Sequence, residues 1–422
     1  MRAGTGRGGL LRPLRERDFR LLWAGQAISL LGDGVLTVTL AWQTLRLSSS
    51  PTALALVMFA RATPRILLML LGGVISDRLP RRLVMLAADL VQALAVGVLA
   101  LLAAGDGLRL WHLAALAAVA SAASAFFLPA STALLPELLA TDLLLPANAL
   151  STSSRVLAAQ FAGPALGGLL IATIGTAAAF AVDAVSFLVS VATLAMLRTR
   201  PEPRPASEHS GGMAQEVSEG LAFARGQPWI WVTLVVAAFA NFLVSGPLQV
   251  LLPVMVRRLG AGAGDLGLVY AAFGLGGGLA VLLAGQFGLP RWRVTAMYAV
   301  WIPSGLVVAG IGVARGVVAL AVLYGLAGLL MELGNLIWTT LVQERVPARV
   351  LGRVSSLDWL ISVGSQPVAI AATGPLAAAV GATAVLVAGG LVSVPVSVAG
   401  LLWPGVRDPD REAPDQAAPG AR

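Results

Sequence analysis

An all-α membrane protein of twelve transmembrane helices, arranged as two six-helix bundles related by a pseudo-twofold axis, is the fold class this sequence predicts. Three observations carry it. The 422-residue chain is 57% hydrophobic and only 12% charged, too few polar groups to cover a water-facing surface. Apolar runs of roughly 20 residues, the length of helix that crosses a hydrocarbon core of about 30 Å, recur about a dozen times. The longest polar interruption, residues 198–228, divides them six and six.

In chain order the runs lie near 20–45, 52–76, 83–104, 109–136, 147–173, 175–197, 229–256, 265–288, 295–313, 316–340, 354–378 and 381–403. Residues 1–19 precede them with Arg2, Arg7, Arg12, Arg15 and Arg17. This is not a secretory signal, because the apolar run that follows is too long, has no convincing cleavage site and leads into eleven more. The predicted organisation is therefore a cytoplasmic segment 1–19, bundles at 20–197 and 229–403, a linker at 198–228 beginning "RTRPEPRPASEHSGG", and a disordered tail at 404–422, "PGVRDPDREAPDQAAPGAR". The later linker, "MAQEVSEGLAFARGQPWI", has a modest helical pattern that suits either a membrane-surface helix or an ordinary connecting helix.

Orientation follows from arginine, the only strongly basic residue type present. With the amino terminus inside, 21 arginines fall on the cytoplasmic side and five on the other, which the positive-inside rule reads as both termini cytoplasmic. The net charge of +8 then describes one membrane face and calls for no nucleic acid.

The halves repeat. "RLPRRLVM" at 78–85 has a counterpart in "GLPRWRVT" at 288–295, and "STALLPEL" at 131–138 resembles "WTTLVQER" at 338–345, at offsets of 210 and 207. Gly163-Pro164 and Gly374-Pro375, offset 211, add a third anchor.

Several chemistries lack their parts. There is no cysteine and there are only two histidines, His112 and His209. No His-Glu-x-x-His or Gly-x-Ser-x-Gly occurs, and a lysine-free chain has no phosphate-binding loop of the Gly-x4-Gly-Lys type. No enzyme activity, metal site or cofactor is expected. The partners expected are a small-molecule substrate, the lipid bilayer and a coupling proton, with the chain acting as a monomer.

"GGVISDRLPRRLVML" at 72–86 places Gly73, Asp77, Arg78, Arg81 and Arg82 between the second and third spans. This resembles the loop signature of major facilitator superfamily transporters, with Pro80 where that family prefers glycine. "GPALGG" in the fifth span, with Gly163, Pro164, Gly167 and Gly168, looks like the antiporter signature of drug exporters in the superfamily. "RERDFRLLWAGQAISLLGDGV", "LPANALSTSSRVLAAQFAGPALGG" and "DAVSFL" are most similar to the twelve-span branch containing macrolide efflux pumps and the enterobactin exporter.

The resemblance implies a cytoplasmic gate in which Asp77 latches the halves. Its partners are expected at the start of span eleven, with Arg353, Ser355 or Ser356 and Asp358 nearby, and Glu137 is expected to pair with Arg81 or Arg82. The alternative for Asp77 is a solvated loop acid. It also implies that spans one, two, four, five, seven, eight, ten and eleven surround a cavity while the others support it. Charges within spans are costly and are read as functional sites by default. Asp33, Arg61, Arg155 and Glu332, on cavity-lining spans, are the candidate proton or substrate residues, with structural ion pairs such as Asp33 with Arg61 as the alternative. Asp89 and Asp183, on supporting spans, read as packing acids. Trp23, Gln26, Trp42, Asn241, Gln249, Asn335 and Trp338 are expected to line the cavity.

The expected function is export of a small amphipathic or hydrophobic molecule, a drug or secreted metabolite, by proton antiport with alternating access, which would confer antibiotic resistance. Siderophore or natural-product export and uptake by the same fold are the alternatives within this class. A non-transporting receptor or scaffold is the alternative outside it.

Overall fold

The computed structural model describes residues 11–198 and 221–411, apart from the side chains of residues 70, 77, 348, 349 and 363. Among the described residues twelve helices are long and apolar enough to cross a membrane, and there are no strands. They are α1 (Arg17–Leu47), α2 (Pro51–Arg78), α3 (Arg81–Ala104), α4 (Leu110–Leu138), α5 (Thr141–Thr173) and α6 (Thr176–Ala195). The second six are α7 (Pro228–Arg258), α8 (Ala263–Phe287), α9 (Arg293–Val313), α10 (Val317–Arg345), α11 (Ala348–Gly364 continued by Gln366–Val380) and α12 (Ala382–Leu402). Their outward faces are apolar: Leu101 is 75% exposed and Val318 78%. Such faces are stable only against lipid.

The chain forms two units, one of residues Met1–Ser49, Val57–Ser207 and Gly262–Ala271, the other of Ser50–Leu56, Glu208–Ala261 and Ala272–Arg422.

In the first unit α1 packs between α5 and α6, and small residues make this possible. Gly25 and Gly32, seven apart on one face, receive the side chains of Thr193 and of Asp183 with Ser186 from α6. Gly34, on another face, meets Gly163 of α5 backbone to backbone. Hydrophobic burial does not drive helices together inside lipid, so close backbone approach and interhelical polar contacts do that work. Phe19, Leu135, Leu139, Leu143 and Ala147 close one end of the unit.

Two spans contain a π-helical stretch immediately before a Gly-Pro pair: Arg155–Ala162 before Gly163-Pro164 in α5, and Asn241–Ser245 before Gly246-Pro247 in α7. Proline donates no N–H and its ring clashes with the carbonyl four residues back. The preceding turn widens in response, which re-aims the side chains it carries.

The second unit buries Trp229, Ile230, Tyr298, Trp338, Leu341 and Leu357 in one core. Residues 221–225 are helical, and Ala224 is fully buried in that core, so this part of the later linker is a packed connector. The tail differs from expectation. Residues 404–411 are ordered and end in α13 (Asp408–Arg411), with Val406 fully buried. Asp410 accepts hydrogen bonds from the backbone N–H groups of Val294 and Thr295, both at 2.9 Å, and from the Thr295 hydroxyl at 2.7 Å. It therefore caps the amino terminus of α9 from a distant stretch of chain. Arg345 donates to the Pro409 carbonyl at 2.7 Å. Composition suggested disorder because it cannot register a carboxylate satisfying orphan helix donors. Asp410→Ala is expected to cost about 1 kcal/mol, as loss of a helix cap does, and to speed limited proteolysis near residue 404. Residues 412–422 lie outside the described residues.

Candidate functional site: a charge nest and a polar cavity

In the first unit six ionisable side chains from five helices share one region. Asp33 of α1 is within electrostatic reach of Arg61 and Arg65 of α2 and of Arg155 at the start of the α5 π-turn. Asp183 of α6 faces Asp33 and Arg61, and Asp89 of α3 faces Asp33. Three carboxylates thus meet three guanidiniums. Among the described residues no ion pair within 4 Å joins Asp33 to Arg61; Arg61 instead donates to the Thr37 hydroxyl at 3.2 Å, which donates to the Asp33 carbonyl at 2.9 Å. The expected structural ion pair between these two is therefore absent within 4 Å.

Asp89 and Asp183 are almost fully buried, 1% and 0% exposed. Gln92 donates to Asp89 at 3.2 Å, while one Asp89 oxygen and both Asp183 oxygens have no hydrogen-bond partner among the described residues. Asp183 occupies the notch left by the absent side chain of Gly32, next in sequence to Asp33. The sequence alone reads these two as packing acids and does not single out Arg65. The available signals were Arg65 one helical turn from Arg61, and Asp183, Ser186 and Ser190 recurring on one face of α6.

The second unit contains a cavity of about 330 Å³. Thr233, Ala237, Asn241, Val244 and Ser245 of α7 line it, as do Trp301 and Ser304 of α9 and Met331, Asn335, Trp338 and Thr339 of α10. Asp358, Ser362 and Gln366 of α11 and Ser393 and Ser397 of α12 complete the wall. Asn241 bridges α7 to α11 by donating to the Ser362 carbonyl at 2.9 Å. Of the expected cavity residues, Asn241, Asn335 and Trp338 are in this wall and Gln249 is not. Glu332 is outside it too, packed against Gly277 of α8. Asp358, expected at the gate, faces this cavity instead. Counting residues from the start of a helix gives depth but not azimuth, which explains both differences.

In the first unit Trp23 donates to Ser154 at 2.9 Å and Gln26 donates to Ser131, tying α1 to α5 and α4. Trp42 is half-buried in α1.

The arginine cluster after α2 is mostly committed to the first unit. Arg81 pairs with Glu137 at 2.6 Å and donates to the Ala133 carbonyl, joining the start of α3 to the end of α4. Arg82 donates to the carbonyls of Leu194 and Ala195 and so serves the carboxyl end of α6, where backbone acceptors lack helical partners. Arg78 is exposed, and a side chain at Gly73 would meet nothing within 4 Å. The Asp77 side chain lies outside the described residues. The second unit repeats the device: Arg293 at the start of α9 pairs with Glu344 at the end of α10. Glu137 and Glu344 are the counterparts aligned by the offset of 207.

Gly163, Pro164, Gly167 and Gly168 are all buried. Gly163 faces Leu31 and Gly34, Gly167 faces Val35, and Gly168 faces Gly267. The seam thus packs against the stretch of α1 that carries Asp33.

Comparison with known proteins agrees with this architecture. The multidrug efflux pump Tap of Mycolicibacterium fortuitum is 28% identical over 421 residues, covering 96% of this chain and 98% of that protein. Macrolide efflux protein A of Streptococcus pyogenes is 25% identical over 355 residues, 83% of this chain and 87% of its own length. Among solved structures, a bacterial homologue of the iron transporter ferroportin in an inward-facing state superposes with a TM-score of 0.69 at 18% identity, over 92% of this chain and 99% of that one. A bacterial homologue of the human lysosomal transporter Spinster gives 0.69 at 15% identity, over 95% and 98%. At such identities the structural likeness speaks for the fold alone. The profile of the transmembrane secretion effector family matches residues 8–419, and the chain belongs to that family of major facilitator transporters.

Proposed function

We propose that the protein is a secondary active transporter of the cell membrane, monomeric and with both termini cytoplasmic, that exports small amphipathic or hydrophobic molecules by proton antiport with alternating access. Export is supported by the efflux activities named for its relatives, the macrolide efflux protein and the multidrug pump.

The observation that carries proton coupling is the charge nest around Asp33. Three carboxyl groups and three guanidiniums match in number, and one proton on Asp33 changes the net charge of the nest by a full unit. In an interior of low effective dielectric that change alters interaction energies with Arg61, Arg65 and Arg155 far more than it would in water. Asp33 and these arginines lie on three different helices, so protonation biases how those helices pack. Arg155 lies on the π-turn beside the glycine seam, which gives the bias a path into α5. The gate is assigned to Gly73, Asp77, Arg78, Arg81, Arg82, Glu137 and Arg353, with the Arg81–Glu137 clamp as its supporting contact.

The test uses purified protein in liposomes loaded with a pH-sensitive dye and given an imposed proton gradient. Addition of a lipophilic substrate from a drug panel should collapse the gradient faster than in protein-free liposomes. Substrate accumulation should stop when a protonophore is added. Accumulation that continues unchanged after the gradient is gone would refute proton antiport and leave the export reading standing.

A further inference from the structure

We infer that the cavity within the second unit is a recognition site for a monovalent organic cation, an amphipathic amine or quaternary ammonium, with Asp358 as its counter-charge. This rests on the export reading and names a substrate class for it.

Asp358 is the only charged side chain among the described residues lining the cavity. The contrast with the first unit is direct. There, guanidiniums face Asp33 and Asp183; here, no arginine electrostatically faces Asp358 among the described residues, and its neighbours are the Trp338 indole and the Ser362 hydroxyl, the latter at 3.4 Å. A carboxylate in a membrane-spanning helix is expected to face a protein cation or a ligand. In this cavity the second option fits the wall.

Trp301 and Trp338 supply two indoles to the same cavity. The Trp301 ring is seated against the bare backbone of Gly334, next to the lining residue Asn335, so its position is set by a close fit that a larger residue at 334 would not allow. Indole faces attract cations, and more strongly where water is excluded. Val244 and Met331 provide apolar surface for a hydrocarbon body, while Asn335, exposed on the wall, offers a carbonyl acceptor to an N–H. An anionic ligand would find a carboxylate and no cation, and a neutral sugar would leave the indoles and apolar wall unused. A volume of about 330 Å³ suits a small amphipathic cation.

The experiment measures equilibrium binding to the full-length protein in lipid nanodiscs, with no gradient imposed. The probes are trimethyl(4-phenylbutyl)ammonium and its carbon isostere, in which a quaternary carbon replaces the nitrogen. The ammonium is expected to bind at least about tenfold more tightly than the isostere, by charge pairing and cation–π attraction. Asp358→Asn should remove that preference, lowering ammonium affinity about tenfold and leaving the isostere unchanged. Equal binding of the two probes to the unaltered protein would overturn the inference, and this comparison needs no variant to fold. Retention of the preference in Asp358→Asn would overturn the role of that residue. Because no gradient is present, either failure leaves proton coupling untouched, and failure of proton coupling leaves this binding result untouched.

Discussion

Replacing Asp33 with asparagine is expected to lower proton-driven export by more than about tenfold, equivalent to ~1.4 kcal/mol. The side chain keeps its shape and loses its charge, so the loss tests ionisation and not packing. A structural account makes the same first prediction, because removing one member of a buried charge group leaves the others uncompensated at a cost of about 3–5 kcal/mol. The two accounts separate in the double variant. Asp33→Asn with Arg61→Gln removes one charge of each sign and restores the balance of the nest, which carries Arg65, Arg155, Asp89 and Asp183 besides. The double variant should recover thermal stability relative to Asp33→Asn. If Asp33 carries the proton, substrate-induced proton flux should stay absent. Recovery of proton flux along with stability would reduce Asp33 to a balancing charge. Both quantities are measured on the same purified samples, by melting in detergent and by dye response in liposomes.

Much of this fold was legible because a bilayer imposes few rules and enforces them strictly. Length, apolarity and arginine placement marked the spans, and the chain between Arg17 and Leu402 follows them closely. The exceptions are instructive. α5 begins at Thr141, earlier than its apolar run, since "TDLLLPANALSTSS" has too many hydroxyls to read as a span, yet its Leu143, Ala147 and Leu150 pack with Phe19 and Leu135. The tail was missed because Asp410 acts through α9, more than a hundred residues away in sequence. Within the site, the sequence identified which charges are costly but not which share a region. Asp183 sits in the notch at Gly32, the neighbour of Asp33, a fact of helix packing that no local pattern encodes. Asp358 was assigned by its position near a helix end, whereas rotation about that helix decides that it faces a cavity.

The second large effect is expected at Gly163. A Cβ on this residue would lie 2.6 Å from the Leu31 carbonyl oxygen and 2.7 Å from both the Ala158 carbonyl oxygen and Gly34 Cα. All three are backbone atoms, so no rotamer change relieves the clash; the contacts with Leu31 and Gly34 force α1 and α5 apart, and the one with Ala158 distorts the π-turn within α5. Overpacking of this kind costs typically about 1–3 kcal/mol, and Gly163→Val, with two further methyl groups, belongs at the upper end. The displaced stretch of α1 includes Asp33, between Gly32 and Gly34, so the damage should reach transport as well as stability. Gly163→Ala should lower the melting temperature, and Gly163→Val should abolish export. Gly73 is the control within the other family signature. It is helical, and a methyl group there meets nothing within 4 Å. Gly73→Ala should therefore leave the melting temperature unchanged or raise it slightly, since alanine is favoured over glycine within helices by roughly 0.5–1 kcal/mol. If Gly73→Ala also leaves export intact, that glycine is a relic of packing that this chain no longer uses. If export falls while stability holds, the space beside Gly73 is filled in another conformation of the transport cycle, and the arginine cluster around it acts when the gate moves. A Gly163→Val protein that melts and exports like the unaltered chain would mean that the α1–α5 seam is not the close backbone contact on which the coupling path from Asp33 depends.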